Sequence, residues 1–134
     1  MSVPFLACMV AAASFHHLPV QALEAIQSVE GGTVGAVVAD KDGSADLGLM
    51  QVNTRWIPAV ARATRANEGF VRARLTFDGC YNVKVAAAIL DLYRTEAHGN
   101  LLEAVGFYHS HTPDLKLAYQ TKVLAAATRL RKGG

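Results

Sequence analysis

At 134 residues the chain is long enough for one domain with a real hydrophobic core and too short for two. With 51% hydrophobic and 18% charged residues it is globular, which excludes intrinsic disorder. The net charge is only +2, and the basic residues are scattered (Arg62, Arg65, Arg72, Arg74, then Arg129, Arg131 and Lys132), a pattern of solvated faces and not of a nucleic-acid footprint.

No apolar run is long enough to span a bilayer. Val3–Phe15 has the length of a signal-peptide core but lacks a basic flank, since the first Lys or Arg is Lys41. It is read as the first helix of the domain, and any export signal is expected to lie outside this chain. A second helix is predicted from about Leu18 to Val29. In it Leu23, Ile26 and Glu30 fall at i, i+3 and i+7, which puts the Glu30 carboxyl on the apolar face. Burial penalises an ionised carboxylate, and a helix C-terminus is the negative pole of the macrodipole. Both effects raise the Glu30 pKa, and a carboxyl still protonated near neutral pH is what a general acid requires. By position alone, a solvated glutamate before a Gly31-Gly32 cap satisfies the same pattern.

Val34–Ala39 is a β-branched run, Lys41-Asp42-Gly43-Ser44 a turn signal, and Ala45–Gln51 a second strand, together a short hairpin. Asn53 is placed to cap a helix around Trp56–Thr64, and residues Ala66–Gly79 read as irregular. Asn82–Tyr93, with Ala86, Ile89 and Tyr93 at helical spacing, predicts a buried helix. Asn100 followed by Glu103 has the spacing of a reciprocal N-terminal cap and opens a helix with Leu101, Ala104, Val105 and Tyr108 on one face. Thr112 and Pro113 open the last helix, which carries Leu115, Ala118, Tyr119, Val123 and Ala126 and stops at Gly133. The sum is a mainly α, single-domain fold over residues 1–134, with about six helices and one small β-hairpin beside Glu30. Two cysteines, Cys8 and Cys80, are compatible with two buried thiols or with one disulfide in an oxidising compartment.

Four blocks stand in a telling order. The first is Ala22-Leu23-Glu24-Ala25-Ile26-Gln27-Ser28-Val29-Glu30, and Gly48-Leu49-Met50-Gln51-Val52-Asn53 follows. Next come Cys80-Tyr81-Asn82-Val83, leading into Ala87-Ala88-Ile89-Leu90, and Ala104-Val105-Gly106-Phe107-Tyr108, with Tyr119 later. In this the chain resembles the lysozyme-like lytic transglycosylases of the type found with bacterial secretion, conjugation and pilus systems. The resemblance implies a lysozyme-like α+β fold, a Cys8–Cys80 disulfide and a periplasmic or envelope location. It implies cleavage of peptidoglycan glycan strands, for which a mildly basic surface is suitable, by a monomer that needs no cofactor. The partners it implies are components of a secretion, conjugation or pilus apparatus. Two departures stand out. Gly31 replaces the serine that usually follows the glutamate, and His109-Ser110-His111 follows Tyr108 where the family often has asparagine.

By the same resemblance Glu30 acts first as acid and then as base, closing a 1,6-anhydro ring. Asp46 is the second carboxylate if the hairpin folds back over Glu30, with a solvated turn aspartate as the equal alternative. Gly48, Leu49, Met50, Gln51 and Asn53 are expected to line the glycan cleft, with core filling as the alternative for Met50. Tyr108 is expected to pack near the glutamate and hydrogen-bond it, with a plain core tyrosine as the nearly equal alternative, and His109 and Tyr119 are expected to meet substrate. His109 and His111 point to different sides of a helix and have no completing ligand set, so no metal site is expected. His16 and His17 are read as surface or packing residues. The remaining alternatives are a lysozyme-type hydrolase supported by Asp46, and a glycan- or partner-binding module that keeps the fold without cleaving.

Overall fold

In the computed structural model, which describes residues 3–133, the described residues form seven α-helices and a three-stranded antiparallel sheet. Helix α1 spans Leu6–His16 and α2 spans Val20–Glu30. The α2 boundary falls two residues later than the apolar pattern suggests, because Pro19 occupies the N-cap in an extended conformation. The helix ends at Glu30 because Gly31 takes the left-handed conformation, φ 65°, and its N–H returns to the Gln27 carbonyl. Leu23 and Ile26 are fully buried, as the i, i+3 spacing requires.

The hairpin is β1, Val37–Ala39, and β2, Ala45–Leu47, paired with Val38 opposite Asp46. A third strand, β3, Val52–Asn53, adds to β2 with Asp46 opposite Asn53 and Leu47 opposite Val52. The expected continuous strand Ala45–Gln51 is therefore broken. Gly48, at φ 69°, and Gln51, at φ 55°, turn the chain back on itself. The turn is pressed close to its neighbours. A Cβ on Gly48 would collide with the Leu75 carbonyl and the Asn82 amide, and one on Gly32 would collide with the Gly48 carbonyl.

Asn53 caps a 3-10 turn, Thr54–Trp56, which runs into α3, Ile57–Thr64. The segment read as irregular is instead helix α4, Glu68–Phe77, over most of its length. Its N-cap is Asn67, whose Oδ1 accepts from the Phe70 N–H at 2.7 Å, and it buries Val71 and Leu75 at i, i+4. Helix α5, Gly79–Glu96, begins three residues before the predicted start because Asp78 caps it. Helix α6 is Leu101–His109 and α7 is Pro113–Gly133. The Asn100 cap forms, with the Glu103 N–H donating at 3.0 Å. The Glu103 carboxylate does not reciprocate; it pairs with Lys116 at 2.8 Å and so ties α6 to α7.

Helix α5 is the central rod, packed on α1, α4 and α6, while α7 lies against α2 and α6. Asn82, Val83, Ala86, Ala87 and Leu90 of α5 have no exposed surface. Helix α1 is fastened to α5 at both ends. The disulfide Cys8–Cys80, Cα atoms 5.4 Å apart, fixes one end. At the other, Asp91 takes His16 Nδ1 at 2.9 Å, and the Arg94 guanidinium donates to the His16 and His17 carbonyls at 2.8 Å each. His16 is thus an interhelical tie. No described helix is long and apolar enough to cross a membrane.

Candidate active site

Glu30 stands at the end of α2, between the sheet and the α6–α7 pair. Its Oε2 accepts a hydrogen bond of 2.7 Å from the Tyr119 hydroxyl. Burial pushes the Glu30 carboxyl up to about 7; the Tyr119 hydrogen bond opposes this, and the charges of Asp46 and Asp40 add to it. With its pKa near neutrality, a substantial fraction of the group keeps its proton at neutral pH, the condition for donating a proton to a leaving oxygen. The Tyr119 hydroxyl is in turn driven far above the usual phenol range by burial and by the facing Glu30 and Tyr108, so it remains a donor.

The opposite wall is the sheet. Asp46 on β2 and Asn53 on β3 face each other across the ladder, and Asn53 organises the wall. Its Nδ2 lies 3.0 Å from Asp46 Oδ1, 3.1 Å from Asp40 Oδ2 and 3.0 Å from Ser44 Oγ, while its Oδ1 accepts from the Arg55 N–H at 2.9 Å. Burial raises the Asp46 pKa, with Asn53 opposing and Asp40 assisting. Between the walls lies a cleft of about 240 Å³. It collects Glu30, Asp46, Gln51, Asn53, Tyr108 and His109 from the sequence-level set. It also includes residues that the sequence reading did not single out as cleft-lining: Asp40, Asp42, Arg55, Trp56 and Ile89. Asp40 and Asp42 belong to the β1–β2 turn, whose signal was visible; the direction in which the turn leans was not.

The Gly48–Asn53 block divides into two parts. Leu49 and Met50 are buried at 2% and 0% exposure and belong to the core cluster, while Gly48 is held beneath the turn by the close approaches described above. Gln51 and Asn53 reach the cleft. Gln51 is braced by its own Nε2 donating to the Gly48 carbonyl at 3.0 Å.

Two residues hold this turn against the helices. Asn82, fully buried, accepts from the Met50 N–H at 2.8 Å and donates to the Leu47 and Leu75 carbonyls at 2.9 Å each. One side chain thereby satisfies three buried backbone groups, one each from β2, the turn after it and α4. Tyr108 donates its hydroxyl to the Met50 carbonyl at 2.9 Å. The expectation that Tyr108 bonds the glutamate is therefore corrected: Tyr119 makes that bond, and Tyr108 anchors the turn next to it. The rotation of α7 over α2 decides which tyrosine reaches the carboxyl, and no sequence spacing encodes it.

His109 lies parallel to the Tyr119 ring, centroids 4.9 Å apart and planes 8° apart. His111 is turned away, paired with Glu96 at 2.6 Å and stacked on Phe107. The two histidines do diverge, but not through helical spacing: α6 ends at His109, and the extended Ser110 carries His111 into the α6–α7 connection. Among the described residues no group of three or more His, Cys, Asp or Glu is arranged to hold a metal ion.

The family model for the transglycosylase SLT domain matches residues 7–122, which include every residue of the cleft described above. Among curated proteins, the chain is similar to Invasion protein IagB of Salmonella typhimurium (strain SL1344), at 34% identity over 94 residues, 66% of this chain and 54% of that protein. It is also similar to Invasion protein IagB of Salmonella typhi, at 32% identity over 103 residues, 73% of this chain and 60% of that protein. The chain thus spans little more than half the length of these relatives.

Proposed function

The chain belongs to the transglycosylase SLT domain family, and from that premise we propose that it is a peptidoglycan lytic transglycosylase with Glu30 as its acid and base. The bond cleaved is the β-1,4 linkage between N-acetylmuramic acid and N-acetylglucosamine. The observation that carries this reading is the state of Glu30: a carboxyl raised to about 7, fixed by Tyr119, and open to a cleft.

In the first step the protonated Glu30 gives its proton to the glycosidic oxygen as the C1–O bond breaks, leaving an oxocarbenium-like muramoyl centre. Glu30 is then a carboxylate, stabilised by the Tyr119 hydroxyl. It takes the proton from the 6-hydroxyl of the same sugar while O6 bonds to C1. The product is a 1,6-anhydro end, no water is consumed, and Glu30 is again protonated. Asp46, held by Asn53 on the facing wall, supplies negative charge to the developing cation without forming a bond. Gln51 offers its amide to the N-acetyl substituents of the strand, while Asn53, its Nδ2 shared among Asp46, Asp40 and Ser44, keeps the facing wall in place. Gly31 offers no side chain to orient Glu30, and Tyr119 takes that task from the other side.

A second reading is supported by Asp46 in the cleft: a lysozyme-type hydrolase in which Asp46 assists a nucleophile or positions water. The anhydro reading is preferred because the family match covers the whole cleft.

We place the activity in the periplasm or cell envelope, where the substrate lies and where the Cys8–Cys80 disulfide is compatible with oxidising conditions. The relatives' names speak of invasion, which supports local opening of the wall for a secretion, conjugation or pilus apparatus as the biological setting. The test is release of soluble muropeptides from purified sacculi by the chain and by its Glu30→Gln variant. Release by the first and not by the second is expected; equal release contradicts the assignment.

A further inference from the structure

Among the described residues the Glu30 carboxyl has one hydrogen-bond donor, the Tyr119 hydroxyl at 2.7 Å. Gly31, next in the chain, brings no side chain to it. The orientation of the carboxyl therefore depends on how firmly Tyr119 is held. A phenolic O–H lies close to the plane of its ring, because the oxygen lone pair conjugates with the π system. The plane of the Tyr119 ring thus decides which directions its proton can take.

That plane has a neighbour on its face. His109, the last residue of α6, lies over Tyr119 with the planes 8° apart and the centroids 4.9 Å apart, an offset stack. His109 is exposed, whereas Tyr119 beneath it is 4% exposed, so the imidazole is the outer cover of the tyrosine. His111 spends its Nε2 on Glu96 at 2.6 Å, but His109 makes no hydrogen bond among the described residues. The stack is the contact left to it. Its own place is set one turn earlier, at Gly106, where α6 comes so close to α7 that a Cβ would collide with the Lys116 and Gln120 side chains. Lys116 also pairs with Glu103 at 2.8 Å, and Gln120 donates to the Leu102 carbonyl at 3.0 Å. This α6–α7 joint brings His109 onto the Tyr119 ring.

We propose that His109 is a positioning residue for the acid: its ring, stacked on Tyr119, fixes the plane of the phenol and so keeps the hydroxyl aimed at Glu30. This inference rests on the assignment of Glu30 as the acid. It gives His109 a part that acts through Tyr119 and differs from the substrate contact expected of it. The flat face of the imidazole does the positioning, so any flat ring of similar size should serve.

The test follows the Glu30 carboxyl by NMR titration of ligand-free protein labelled at the glutamate carboxyl carbons, with Glu30→Gln identifying the resonance. The quantity read is the upward pKa shift that Tyr119→Phe produces in Glu30. It is measured with His109 in place, with His109→Phe, which keeps a flat ring, and with His109→Ala, which removes it. Neither variant carries an imidazole charge, so comparing them isolates the ring. A cycle is needed because His109→Ala alone has two opposed effects: water reaching Glu30 lowers its pKa, and a loosened hydrogen bond raises it. The Tyr119→Phe shift should persist in His109→Phe and fall to about half or less in His109→Ala. Equal shifts in the two variants overturn the proposal, as does the lack of any shift with His109 in place. No turnover is involved, so an inactive chain would count against the catalytic reading and leave this one readable. In turnover, His109→Ala should lower kcat about two- to ten-fold at unchanged KM, and His109→Phe should restore it. A change confined to KM would assign His109 to the glycan and overturn the proposal.

Discussion

The Tyr119 hydroxyl meets the Glu30 carboxyl at 2.7 Å across 89 residues of sequence, joining the last helix to the end of the second. This bond opposes the effect of burial on Glu30 and sets how far its pKa rises. In Tyr119→Phe the carboxylate loses its donor, so the Glu30 pKa should move further up. The alkaline limb of the activity profile should shift to higher pH while the maximal rate falls, because the carboxylate formed after proton transfer is less stabilised. A pH–rate profile of both proteins checks this; a limb moving to lower pH contradicts the role given to Tyr119.

Glu30 also ties stability to pH. Its folded pKa of about 7 lies above the ordinary glutamate value of 4.5. Its contribution to stability is therefore fully present below about pH 4.5 and is lost as pH rises through 7. Glu30→Gln removes this penalty while keeping an acceptor for Tyr119. The variant should match wild type in thermal stability near pH 4 and exceed it at pH 8 by at most about 3 kcal/mol. Identical melting curves at both pH values would show Glu30 to be solvated and ordinary.

Asn82 holds the cleft's sheet wall from below, through Leu47, Met50 and Leu75. Asn82→Ala leaves two buried carbonyls and one buried N–H without partners, each worth about 1–3 kcal/mol. A loss of about 3 kcal/mol or more is expected in denaturant unfolding, with activity falling even where the variant remains folded, because Gln51 and Asn53 lose their support. A loss under about 1 kcal/mol would contradict the anchoring role.

The Cys8–Cys80 disulfide closes a loop of 72 residues in sequence separation. In the chain-entropy view, its reduction should cost about 4 kcal/mol. Thiol titration of the denatured, unreduced protein should find no free thiol, and reduced protein should unfold at markedly lower denaturant. Two titratable thiols in protein purified from the envelope would contradict the bond.

What the sequence disclosed and what it withheld follow from the range of the interactions. Glu30 on an apolar face was legible because Leu23 and Ile26 lie within two turns of it, and the Asn53 and Asn100 caps were legible for the same local reason. Helix α4 was not, although Asn67 as cap and Val71 with Leu75 at i, i+4 were its signals; Gly69 and the flanking polar residues obscured them. The strand Val52–Asn53 is two residues long and exists only because β2 offers it a partner, so no local pattern marks it. The exchange of Tyr108 for Tyr119 at the glutamate, and the arrival of Asp40 and Arg55 in the cleft, depend on how α7 and the hairpin lean, which long-range packing sets.

Analysis of the products formed by the purified chain tests the central claim most directly. Sacculi are digested to completion, and the released muropeptides are resolved by mass spectrometry, which separates 1,6-anhydro ends from reducing ends by the mass of one water. If Glu30 serves as acid and then base, anhydro ends dominate, and Asp46→Asn slows their release without stopping it. Reducing ends as the main product, with Asp46→Asn nearly inactive, would contradict this account and assign the cleft to hydrolysis.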